Sequence, residues 1–249
     1  AGADGNNTAV GDRAGTAVLT GTVNTYLGSK AGLANIVGHN NVALGFNALL
    51  TDSHGSQSTA VGVGALQVQD NGTTATNFLN TAVGYNAGVA VSTGVNNTLI
   101  GALAGDGMQT GGSNVAVGYE SLSAVCTGSY NTAVGRIAMR EMTSGTENTG
   151  LGNAALLVNT TGNYNTSVGS DSMKANISGH NNTALGFEAL QVSTVSNNTA
   201  VGFQAGLITT SGHSNTFIGS GAGGNVTEGD SNIMIGKDID AASATADSQ

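Results

Sequence analysis

The sequence predicts an all-β chain, a β-solenoid or β-roll of about fourteen 17-residue repeats. Three observations point there. A short motif, Asn-Thr-Ala-(Val/Leu/Ile)-Gly, stands intact at Asn7 to Gly11, Asn80 to Gly84, Asn131 to Gly135 and Asn198 to Gly202, with looser copies between. The motif glycines recur at 17-residue spacing in eleven of thirteen intervals. The composition suits tight corners and ladders: of 249 residues 40 are Gly, none is Pro or Trp, and 8% are charged. A fixed period of this kind marks a stacked-repeat architecture, in which each unit buries its apolar face against its neighbours.

The strand comes first in each repeat. The motif glycines are Gly11, Gly28, Gly45, Gly62, Gly84, Gly101, Gly118, Gly135, Gly152, Gly169, Gly186, Gly202, Gly219 and Gly236. The residue before each is Val, Leu or Ile in all fourteen copies. A column without exception reads as buried. Two places earlier stands Thr in eleven copies, and period-two alternation puts it on the same inward face. The first position is Asn in thirteen copies and Ser58 in the other. Stacked asparagines can hydrogen-bond along a column and close the turn backbone.

A corner and a second short segment follow. Three residues past the motif Gly comes Ala or Ser in thirteen copies, and the next residue is Gly or a large apolar one, as at Gly15, Gly32, Leu49, Leu66, Gly88, Leu122 and Met139. A second Gly, such as Gly38 or Gly145, precedes the next strand as a turn. One interval is 22 residues, so five extra residues lie within Gln67 to Leu79 and predict a loop leaving the stack near Asn71 to Asn77; another interval is 16. Seventeen residues with two glycines cannot hold a helix pair. Fourteen rungs at about 4.8 Å would extend roughly 65–70 Å. The chain reads as a single repeat domain, 1–249, with repeats over 7–240 and a short polar tail over 241–249. It begins at Ala1 without Met, which reads as a processed chain.

The motif resembles two families. Asn-Thr-Ala-Val-Gly with a following Ala resembles the repeats in the heads of trimeric autotransporter adhesins, which form trimerising left-handed β-rolls with a shorter repeat. Runs such as Asn182-Thr-Ala-Leu-Gly-Phe-Glu-Ala-Leu190 and Asn215-Thr-Phe-Ile-Gly-Ser-Gly-Ala-Gly223 are more similar to the repeat region of phage-like tail-fibre proteins that end in an endosialidase-type chaperone domain. That resemblance covers residues 6 to about 240. It implies a fibre whose C-terminal chaperone is removed after assembly.

Charge and motifs exclude several classes. With a net charge of −9 and only six Lys and Arg, the sequence argues against nucleic acid and anionic membrane surfaces. No apolar run approaches the roughly 20 residues that span a bilayer. The histidines, His39, His54, His180 and His213, read as turn residues, with no metal or cofactor expected. The acids Asp12, Glu120, Glu141, Glu147, Asp171, Glu188, Glu228 and Asp230 fall in different columns, so no facing carboxylate pair is visible and the chain reads as non-enzymatic. The single cysteine, Cys126, reads as a small buried apolar residue. Nine sequons, at Asn6, Asn71, Asn96, Asn159, Asn165, Asn176, Asn181, Asn197 and Asn225, are candidate glycan acceptors.

The expected function is a structural subunit of an extracellular or virion fibre, self-assembling through solenoid stacking, with itself as partner in a homo-oligomer, filament or trimer. The alternative is a glycan-binding adhesin, with dispersed aromatics such as Tyr26, Phe46, Tyr85, Tyr119, Phe187 and Phe203 on or beside the strands. An ice-binding solenoid would need dense outward Thr arrays, and the single Thr column reads as inward.

Overall fold

The computed structural model describes residues 5–248; the chain start at Ala1 and the last tail residue, Gln249, lie outside them. The chain is an all-β parallel solenoid with a repeat spacing of roughly 17 residues, and no helix occurs among the described residues. Its contacts divide into two compact units, 1–127 and 128–249.

In the first unit, β1 (Thr8–Val10), β2 (Thr25–Leu27), β3 (Val42–Leu44), β5 (Thr59–Val61), β7 (Thr81–Val83), β8 (Thr98–Ile100) and β9 (Val115–Val117) pair in chain order. Two shorter strands, β4 (Gly55–Ser56) and β6 (Thr76–Asn77), make a separate parallel pair. In the second unit, β10 (Thr132–Val134), β11 (Thr149–Leu151), β12 (Thr166–Val168), β13 (Thr183–Leu185), β14 (Thr199–Val201), β15 (Thr216–Ile218) and β16 (Ile233–Ile235) do the same. Pairing is parallel, motif residue on motif residue: Thr8 opposite Thr25, and Thr132 opposite Thr149. The irregular intervals do not disturb it. Thr59 still faces Thr81 across the 22-residue interval, and Thr183 faces Thr199 across the 16-residue one. The extra residues Asn71–Ala75 are exposed and leave the stack as a loop.

The face assignment of the strand is the reverse of the sequence expectation. From β2 onward the middle residue of each three-residue strand points inward: Ala43, Ala60, Ala82, Leu99, Ala116, Ala133, Ala184, Ala200 and Phe217 are fully buried. The Val/Leu/Ile column points out, with Leu27 at 46% exposure, Leu151 at 45% and Leu185 at 47%. The Thr column shares that outer face. The asparagine sets the parity. It stands one residue before Thr, so it alternates with Thr and shares the inner face with the middle residue. Its side chain must lie inside because its partners do. The Asn24 Oδ1 accepts the backbone N–H of Asn41 at 2.9 Å in the next rung, and its Nδ2 donates to the Gly38 carbonyl at 2.8 Å. The same two bonds recur at Asn131, Asn148, Asn165 and Asn215. A buried amide without partners would cost about 1–3 kcal/mol, so this ladder holds each turn to the next.

A size rule fills the core. The fourth residue past the motif Gly is buried in the left-handed region, as Leu49, Leu66, Met139 and Leu190 are at φ 49, 49, 51 and 49. Where the centres of a rung's own strand and of the next strand are both small, this residue is large. Where the strand centre is large, glycines take its place on two rungs. A Cβ at Gly15 or Gly32 would lie 2.7 or 2.4 Å from the Tyr26 ring, and one at Gly206 or Gly223 would lie 2.6 or 2.2 Å from Phe217. Leu99 sits likewise between Gly88 and Gly105. One large side chain per level fills the space that closing a 17-residue turn leaves.

The polar tail is also part of the stack. Asp238 N donates to Ser220 O at 2.8 Å, Thr227 N to Ala244 O at 3.0 Å, and Asn232 Nδ2 to Ala246 O at 2.8 Å. Residues 238–248 thus supply the carbonyls and amides that a further turn would supply. The repeat pattern fades after Gly236 while its hydrogen bonding continues, which is why composition alone sets this segment apart as a tail.

Candidate functional site

Two features stand out: an outward ladder face and a buried polar cluster. The face is built from the strands. In the first unit its columns are Thr8, Thr25, Val42, Thr59, Thr81, Thr98 and Val115, beside Val10, Leu27, Leu44, Val61, Val83, Ile100 and Val117. In the second they are Thr132, Thr149, Thr166, Thr183, Thr199, Thr216 and Ile233, beside Val134, Leu151, Val168, Leu185, Val201, Ile218 and Ile235. None of these residues is charged. Among the described residues the threonine hydroxyls of these two face columns make no side-chain hydrogen bond within the chain, whereas Thr76 of β6 donates to the Thr74 carbonyl. Turn threonines behave differently: Thr143, Thr160 and Thr210 donate through Oγ1 to carbonyls of the next rung at 2.9, 3.1 and 3.1 Å.

Aromatics flank the face. Phe46, Tyr85 and Tyr119 in the first unit, and Phe187 and Phe203 in the second, follow the motif Gly and are exposed. The Phe187 and Phe203 rings stack with centroids 5.5 Å apart. On the other border Tyr130 is 65% exposed and, with Glu147 and Thr149, lines an open surface cavity of about 420 Å³. Tyr26, grouped with these in the sequence, is instead in the core.

The buried cluster repairs the one break in the asparagine ladder. Ser58 is too short to make both ladder bonds. Gln69 fills the gap: its Oε1 accepts Asn80 Nδ2 at 2.8 Å, and its Nε2 donates to Ser58 Oγ at 3.0 Å and to Asp52 Oδ2 at 2.8 Å. Asp52 Oδ1 accepts the Gly55 N–H at 2.7 Å. All four side chains are buried. Burial pushes the Asp52 carboxyl up to about 6, against the pull of the Gln69 amide and the Gly55 N–H. Its nearest acidic neighbour, Asp70, adds to the rise. The sequence does not single out Asp52, because it stands without a second carboxylate in its own column. The signal was the coincidence of Ser58, the only break in the Asn column, with Asp52 and Gln69 in one core column 17 residues apart.

Contrary to the reading of the acids as falling in different columns, Glu120, Asp171 and Glu188 share the column two residues past the motif Gly, with Asp171 and Glu188 on consecutive rungs; Asp12, Glu141, Glu147, Glu228 and Asp230 lie on other columns of the surface. His39 and His180 lie in the turns; the Asn163 N–H donates to His180 Nδ1 at 3.0 Å, and Ser56 Oγ lies 3.1 Å from His39 Nδ1. His54 Nδ1 lies 2.8 Å from Ser53 Oγ, and the His213 N–H donates to Asp230. No group of three or more His, Cys, Asp or Glu that could hold a metal occurs among the described residues. Cys126 is buried. Of the nine sequon asparagines, Asn6, Asn71, Asn96, Asn181 and Asn197 are exposed and Asn225 is half-buried. Asn159, Asn165 and Asn176 are buried within the turn and ladder hydrogen bonding, which leaves no space for a glycan on them in the folded chain. Among the described residues no helix is long and apolar enough to cross a membrane.

No protein-family model matches the chain, and no curated protein matches it in sequence.

Proposed function

We propose that this chain is a structural subunit of a fibre, on a virion or as a cell-surface appendage, that assembles with copies of itself. The observation that carries this reading is the same-register stacking of the motif strands through each unit, held by the buried asparagine ladder. Such a stack is stiff along its axis because a parallel ladder and a side-chain ladder run the same way. The similarity of Asn182 to Gly223 to tail-fibre repeats supports it further. Stacking of solenoids and side-by-side association, as a filament or a trimer, are the arrangements it implies. The chain then acts without catalysis or cofactor. Electron microscopy of the purified protein is the test: rods or filaments of uniform width are expected, and isolated globules would reject the reading.

A second reading is a glycan-binding adhesin. The cavity beside Tyr130 and Glu147 favours it, since an exposed aromatic ring next to a carboxylate is the chemistry that holds a sugar. Titration of Tyr130→Ala against wild type on a glycan array tests it, with loss of binding expected.

A further inference from the structure

We infer that the outward threonine–aliphatic face of the strands is a lateral interface that packs against the same face of a second copy of this chain. Parallel sheets are ordinarily covered on both sides. Here one side lies on the solenoid core, while the other presents seven rungs of uncharged side chains in each unit. Leu27, Leu44, Ile100, Leu151, Leu185 and Ile218 are each between 39% and 47% exposed on it.

Three properties of the face select a second copy as its occupant. The first is spacing. The rungs repeat at about 4.8 Å, so only a partner with the same rung spacing can seat its side chains between them over seven successive rungs. The second is charge. The chain carries −9, yet none of this lies in the two columns, so like meets like there without burying a charge. An anionic polymer or anionic membrane would instead need a basic border. The aromatic border column holds Arg136 beside β10 and Lys237 after β16, with Asp12 and the rings of Phe46, Tyr85, Phe187 and Phe203. The third is size. Seven three-residue strands at about 4.8 Å, presenting about 10 Å of chain each, offer roughly 340 Å² per unit, a footprint that suits a reversible contact between copies rather than a large obligate partner.

The unpaired threonine hydroxyls fit the same occupant. Thr25, Thr81, Thr149 and Thr183 keep donor and acceptor free of the chain's own backbone, so a facing threonine can pair with each. Two such sheets would pack about 10 Å apart with Leu and Ile side chains interleaved.

Such a contact rests on the self-assembly reading above, and its failure is separable from the failure of that reading. The experiment is sedimentation equilibrium of the full chain at tens of micromolar. It compares wild type, the face variant Leu151→Lys/Leu185→Lys, and the turn variant Ile177→Lys, which alters an equally exposed residue off the face. Melting temperature is recorded for each. The expected result is an oligomeric wild type, an unchanged turn variant, and at least a tenfold weaker self-association of the face variant with its melting temperature retained. A face variant that associates like wild type overturns the lateral interface, and leaves the fibre reading intact if microscopy still shows filaments. A monomeric wild type overturns it too. Compact oligomers dissolved by the face variant, with no filament in any sample, would uphold the interface and reject the fibre.

Discussion

Asp52 is where a single residue governs the stability of a whole turn. Its carboxyl is buried, bonded to Gln69 and Gly55, and raised to about 6. In the unfolded chain it titrates near 3.9. The folded state therefore binds the proton more readily than the unfolded one. Its contribution is fully present below about pH 4 and is lost as pH rises through about 6, a difference of roughly 2–3 kcal/mol. Thermal melts from pH 4 to 8 should show wild type losing stability over that window relative to Asp52→Asn, whose curve runs flat there; equal slopes would remove Asp52 from the account. The strand residues give a second test. Ala133 is fully buried and Val134 half-exposed. Ala133→Asp should cost several kcal/mol by burying an unpaired charge, while Val134→Asp should leave the melting temperature within a few degrees. If Val134→Asp unfolds the chain and Ala133→Asp does not, the face assignment is wrong. The asparagine column, which fixes this parity, was legible in the sequence, but its inward position was not, because the Val column, being more apolar, suggested the opposite.

At the scale of the element, the rung is a closed loop of fixed interior. Its glycines are required by contact as well as by conformation. The motif Gly of each rung lies against the carbonyl of the next, so a Cβ at Gly135 would stand 2.3 Å from Gly152 O at a φ of 138. The core glycines answer a neighbour's bulk instead. Phe217 occupies the space that Gly206 and Gly223 vacate. Replacing Gly223 by Leu alone should cost more than about 3 kcal/mol by overpacking, and Phe217→Ala alone a similar amount through its cavity. The double variant Phe217→Ala/Gly223→Leu restores the Ala-and-Leu pairing seen at Ala184 and Leu190, and should recover at least half of the summed loss. Chemical denaturation of the four proteins measures the coupling, and strict additivity would refute the size rule. The alternation of Gly with Leu or Met in this column was visible in the sequence. Its reason was not, because the partner lies on the other side of the rung.

Across the whole molecule, the uncharged outer columns and the net charge of −9 give the proposed lateral contact a definite salt dependence. Copies meeting through an apolar face would repel through their remaining acids, and salt would screen that repulsion. Self-association measured by light scattering should therefore strengthen between about 10 mM and 500 mM salt, where the Debye length falls from about 30 Å to a few Å. An assembly held by ion pairs would weaken over the same range. The exposed ion pairs within the chain, such as Arg140 with Glu141 and Lys174 with Asp171, are local and contribute little either way.

The sequence by itself determined the solenoid, its repeat length, its strands and the position of the inserted loop, because a repeat imposes the same local geometry at each copy and any irregularity stands out against it. It also determined that the asparagines stack, since a column of one amide has few other uses. Only the tertiary structure decided which strand face is inside. Alternation allows two answers, and the choice rests on hydrogen bonds from Asn to backbone 14 residues away. The same closure joined Asp52, Ser58, Gln69 and Asn80 across three turns, drew residues 238–248 into the stack, and turned an apolar column that reads as core into an outward, uncharged face.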